Sequence, residues 1–138
     1  MNINYGKAVI GGLVGTVLMT IIGLVVAPMM GIPKMNPAAM LAGAMGGNLA
    51  LGWVAHFMIG IVLALIYGAV ASLIPGAPWI RGAVYGIAPW LMLEVAVLPM
   101  MGMPLFAGSV VLAMASLFGH FVYGGTVGAI YGRPASRA

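Results

Sequence analysis

Four apolar stretches of roughly 20 residues or more, enough to cross about 30 Å of hydrocarbon, carry a single internal charge between them, the carboxyl of Glu94. Of the 138 residues, 64% are hydrophobic and only 4% are charged. A soluble surface needs about a quarter of its positions charged, so this chain has none to offer. The expectation is an all-α integral membrane protein: four spans in one transmembrane domain over residues 1–138, with no separate soluble domain. Cysteine is absent, which excludes disulfides and thiol chemistry. The net charge of +4 comes from five basic residues scattered over loop positions. That scatter argues against nucleic acid as a partner and for topology signals facing a lipid bilayer.

Prolines mark the span ends, because a proline lacks the N–H that continues a helix. Span 1 is expected over about 7–27, stopped by Pro28-Met-Met-Gly-Ile-Pro33. Residues 34–46 read as a loop or short interfacial helix. Span 2 covers about 47–73, span 3 about 79–99 and span 4 about 105–132, closed by Arg133-Pro134. The run after Lys7 is long and further spans follow, so it reads as a retained helix rather than a cleaved leader. Lys7, Arg81, Arg133 and Arg137 fall on one side of this arrangement and Lys34 on the other. The positive-inside rule then puts both termini and the middle loop on the cytoplasmic side of the membrane. Trp53, Trp79, Tyr5, Tyr67 and Tyr131 lie near span ends, where interfacial anchoring is expected.

The chain repeats itself. Gly11, Gly15, Pro28, Met29, Met30, Gly31 and Pro33 match Gly82, Gly86, Pro99, Met100, Met101, Gly102 and Pro104 at a constant separation of 71 residues. After a seven-residue shortening of the second hairpin the separation becomes 64, and His56-Phe57, Gly60 and Ile66-Tyr67-Gly68 map onto His120-Phe121, Gly124 and Ile130-Tyr131-Gly132. Repeat 1 spans about 7–73 and repeat 2 about 79–133. With two spans per unit, both copies enter the membrane in the same sense, which makes a parallel repeat related by a pseudo-twofold along the membrane normal.

Two ribbons of small residues, each interrupted by one histidine, stand out: Gly52, His56, Gly60, Ala64 and Gly68, and Ser116, His120, Gly124, Gly128 and Gly132. Steps of four keep such residues near one helix face, and small residues let membrane helices approach closely. Gly52, Gly60, Gly68, Gly124, Gly128 and Gly132 are therefore candidate helix-packing positions, with Gly11, Gly15, Gly82 and Gly86 on the partner spans. Each histidine precedes its terminal Tyr-Gly by 11 residues, about 16 Å at helical rise and close to the bilayer midplane. Glu94 is expected within about one turn of that depth. Three roles stay open: hydrogen bonds that fix helix register; ligation of a b-type haem by His56 and His120; and a proton or copper path using Glu94 with the two imidazoles. Methionine, 13 in number, bears on the last, since thioethers suit Cu(I). It equally suits gap-filling in a membrane core or a surface for docking a partner. No triad, phosphate loop or metalloprotease motif is present, so catalysis by this chain is not expected.

Gly15-Thr16, Pro28-Met29-Met30-Gly31, His56-Phe57-x₂-Gly60 and Tyr67, with their second-half counterparts, resemble a family of small uncharacterised prokaryotic four-span membrane proteins. The resemblance implies no activity. It suggests companion subunits of respiratory assemblies such as haem–copper oxidases. The expected function is an accessory or anchoring subunit of a respiratory electron-transfer complex, with other membrane subunits as partners and haem b as the candidate cofactor. The alternative is a stand-alone proton or copper channel or transporter working as an oligomer.

Overall fold

A computed structural model describes residues 3–133. It contains α1 (Tyr5–Met29), the short α2 (Pro37–Ala44), α3 (Leu49–Leu73), α4 (Pro78–Met100) and α5 (Val110–Tyr131), and no strand among the described residues. All but α2 are long and apolar enough to cross a membrane, with 25, 25, 23 and 22 residues. Pro134 and Arg137, invoked above for the end of span 4 and its charge, lie outside the described residues.

Side-chain caps set the helix starts. Asn4, Asn36, Asn48 and Ser109 accept from Lys7 N, Ala39 N, Leu51 N and Leu112 N at 3.0, 3.0, 3.1 and 3.3 Å, each satisfying an amide the helix cannot. The Ser109 cap corrects the start of span 4, expected near Leu105. Residues Leu105–Gly108 form a separate turn in which Phe106 and Ala107 take left-handed angles (φ 54° and 53°), so the helix begins only after it.

The Pro-Met-Met-Gly motif proves to be a helix terminus of one design used twice. Pro28 and Pro99 sit inside the last turn rather than ending it. The stop comes at Gly31 and Gly102, whose φ of 76° and 77° glycine adopts without the penalty a Cβ brings. The following amides close the motif: Ile32 N donates to Ala27 O and Met103 N to Leu98 O, at 3.0 and 2.9 Å. Before each proline the helix widens by one residue into a π-helical turn, Ile22–Val26 in α1 and Leu93–Val97 in α4. These turns are separated by the same 71 residues as the sequence motif. The wider turn relieves the clash between a proline ring and the carbonyl four residues back.

α5 packs along α4 on one side and α1 on the other, and α1 packs in turn along α3, with α2 lying on α3. The order across the molecule is thus α3, α1, α5, α4, and α3 meets α4 and α5 only lightly. Tyrosines bridge that looser seam. Tyr85 OH donates to Leu63 O (2.8 Å), Tyr123 OH to Gly60 O (2.5 Å) and Tyr131 OH to Gly68 O (3.2 Å). Tyr67 and Tyr131, expected as interfacial anchors, are instead buried in this core at 0% and 4% exposure, with rings 5.6 Å apart. Tyr5 and Trp79 are exposed at span ends. Outward-facing Ile10, Val17, Val62, Val84 and Val111 leave an apolar surface on all four long helices. Such a surface suits lipid and not water.

Candidate functional site

Many of the glycines sit at close helix contacts. A Cβ on Gly82 would overlap the Gly124 carbonyl, and one on Gly128 the Pro78 carbonyl, so α4 and α5 meet backbone to backbone. Gly60 faces Thr16 and Gly12 of α1, Gly52 faces Ala38 and Ala42 of α2, and Gly68 faces Ile3 and Tyr131. Gly11 and Gly15 meet Val127 and Tyr123 of α5. Gly132 takes φ 77° just past the end of α5, with Lys7 Nζ the nearest group to a Cβ there.

Both histidines are buried, at 7% and 6% exposure, and neither faces the surface. Gly60–Tyr123 and Gly68–Tyr131 are both 63 residues apart. α3 and α5 therefore run in the same direction. The hydrogen bonds of the two imidazoles point to different partners. The Thr20 hydroxyl gives its one proton to Thr16 O at 2.6 Å, so the 2.9 Å contact to His56 has Nε2–H as the donor. His120 Nδ1 lies 2.8 Å from Ser116 O, an acceptor only, so there Nδ1 carries the proton. The pair holds opposite tautomers. His120 keeps its free lone pair on Nε2, and His56 keeps its own on Nδ1.

His120 lines a half-open cavity of about 290 Å³. Its walls come from both π-helical turns, both hairpin ends, α2 and α5, and Glu94 lies on it while His56 does not. Glu94 is 1% exposed, and among the described residues its buried Oε2 has no hydrogen-bond partner. A carboxyl in that state is expensive in an apolar interior. Met19, Met35, Met40 and Met103 also line the cavity, with Lys34 and Asn36 where the first hairpin meets it. The structure thus gathers Glu94 and His120 and sets His56 apart, held by Thr20. Among the described residues, no three His, Cys, Asp or Glu side chains converge to hold a metal ion.

Two features of the site carried no signal in the sequence. Thr20, the partner of His56, has no counterpart threonine in the second half, where Leu91 stands. The other is the backbone around the π-helical turns. Ala27 N donates to Ile22 O and Leu98 N to Leu93 O, five residues back. The next step would pair residue 28 with Gly23 and residue 99 with Glu94, but both are prolines without an N–H. Met35 N returns from the hairpin to serve Gly23 O at 3.0 Å. Among the described residues no amide from outside its helix does so for Glu94 O.

Comparison with curated proteins and with solved structures gave no match. A family model matches residues 3–138, nearly the whole chain. On that match the protein belongs to DUF6789, a family of unknown function.

Proposed function

We propose that this protein takes up a small cation within the membrane, in the cavity that Glu94 and His120 both line. The observation that carries this reading is the Glu94 carboxyl: the only acidic side chain of the sequence, 1% exposed, with its Oε2 buried and without a hydrogen-bond partner among the described residues. A lone carboxyl in hydrocarbon calls for a neutralising partner, and ionisable groups so placed in membrane helices mark ion or proton paths. His120, with one ring nitrogen free, stands on the same cavity. The test is flux in vesicles. The purified chain is reconstituted and challenged with a proton or cation gradient. The wild type should dissipate the gradient and Glu94→Gln should not. Equal rates for the two would remove Glu94 from the path, and a silent wild type would remove conduction.

The fold supports a parallel duplication as the origin of the chain. Matched π-helical turns, matched glycine termini and parallel α3 and α5 favour two hairpins related by a pseudo-twofold along the membrane normal. Lys7, Arg81 and Arg133 at one end and Lys34 at the other favour cytoplasmic termini, and the resemblance to small prokaryotic four-span proteins suggests an inner membrane.

A second reading has its own support. Met29, Met30 and Met100 are 82%, 72% and 86% exposed at the hairpin ends. Such flexible apolar knobs suit docking against larger membrane subunits, as an accessory chain of a respiratory complex would need. A b-type haem within that reading requires His56 to release Thr20 and turn Nε2 toward His120. Isolation in mild detergent decides: co-purifying redox subunits and a Soret band lost in His120→Ala support it, and a colourless chain free of partners removes it.

A further inference from the structure

The geometry points to a soft monovalent metal ion, Cu(I) in chemical class, as the cation this cavity binds, with methionine thioethers and His120 Nε2 as donors and Glu94 as the balancing charge. The inference rests on the cation reading above and narrows it.

The donor set decides the ion. Ca²⁺ and Mg²⁺ need six or so oxygens. Here the lining side chains with oxygen are Glu94, Ser116 and Asn36. The softer groups are more numerous: Met19 from α1, Met35 from the first hairpin, Met40 from α2 and Met103 from the second hairpin. Thioethers with imidazole select Cu(I) over harder ions. His120 is prepared for this, because the bond from its Nδ1 to the Ser116 carbonyl orients the ring and leaves Nε2 free.

Charge balance decides the valence. All of those donors are neutral, so a bound monovalent ion would leave one positive charge in the membrane. The buried, unpartnered carboxyl of Glu94 supplies the matching negative charge. A divalent ion would stay uncompensated. Lys34, the one other charged group on the cavity, is exposed, and its long stem lets the ammonium stay in water away from the ion. The cavity is wider than a naked ion, which suits methionine: its unbranched side chain can close around a ligand and open again.

The test uses the full chain in detergent with Cu(I) buffered by a chromogenic chelator, and Ag(I) as a redox-inert probe. The expected result is one ion per chain and sulfur and nitrogen in the first shell by X-ray absorption. Met35→Leu and Met40→Leu keep volume and should each weaken binding about tenfold or more. His120→Gln should remove nitrogen from the shell, and Glu94→Gln should weaken affinity about tenfold with the shell unchanged. Met29→Leu with Met100→Leu, on the exposed ends, should change nothing. Binding that survives the cavity variants but is lost with those two would overturn the site. No binding to the folded wild type would overturn the metal. If Glu94-dependent proton flux persists in that case, the broader reading stands; if flux is also missing, both fall.

Discussion

In the first half of the chain, the carbonyl that a proline leaves without a donor is taken by the amide of Met35. In the second half the corresponding carbonyl belongs to Glu94, and no hairpin amide among the described residues comes back to it. The residue at the first position is glycine, and a Cβ there would come within 2.7 Å of Met35 O. The residue at the second is a carboxylic acid on a cavity. Loop length separates the two. The first hairpin is seven residues longer, enough to drop Met35 onto α1 before α2 begins. The shorter hairpin turns instead through the left-handed pair Phe106 and Ala107, and Phe106 packs near Trp90, ring centroids 6.1 Å apart. One device thus serves as a joint with its carbonyl satisfied in one place and leaves an acid's carbonyl unserved in the other, both on the walls of the same cavity.

Substitutions at the two turns should therefore have opposite consequences. Gly23→Val should be the most damaging, lowering stability in detergent by about 3 kcal/mol through overpacking against Met35. Calorimetry that shows no loss would mean the joint is not tightly packed. Glu94→Leu should do the reverse and raise stability by about 2 kcal/mol, because an unsatisfied buried group is replaced by a packed one. A destabilised Glu94→Leu would reveal a partner for the carboxyl. Pro99→Ala restores a donor for Glu94 O and should stabilise by about 1 kcal/mol, while Pro28→Ala should gain nothing, since Met35 already occupies Gly23 O. Equal responses at the two prolines would erase the distinction. The smallest effect belongs to Thr20→Val, which should cost about 0.6 kcal/mol, the mean for an interhelical hydrogen bond in a membrane protein. Its ¹⁵N spectrum should show a change at His56 Nε2 and none at His120.

Much of this was legible in the sequence because a few residues have narrow steric roles. The glycines after Met30 and Met101, the prolines before them and the small residues at steps of four each announce a turn or a close contact. The spans followed from hydropathy and agree with the helices to within a few residues, except where Ser109 caps α5 late. The π-helical turns were not legible, since one inserted residue in an apolar helix leaves no mark in its periodicity. Nor was the burial of Tyr67 and Tyr131: when every helix face is apolar, pattern alone cannot separate the side facing lipid from the side facing protein. The grouping of Glu94 with His120, and of His56 with Thr20, depends on the rotation of each helix about its own axis, which residue counting along the chain does not reveal.

The side-by-side order α3, α1, α5, α4 also bears on how the chain is made. α1 leaves the ribosome first, yet its second neighbour is α5, the last long helix to be synthesised. The N-terminal pair must therefore wait in the bilayer with one flank unclaimed until translation has delivered residues 110–131. Nascent chains halted before that point should remain open to chaperones, proteases and chemical labels along the Gly11–Gly15 edge.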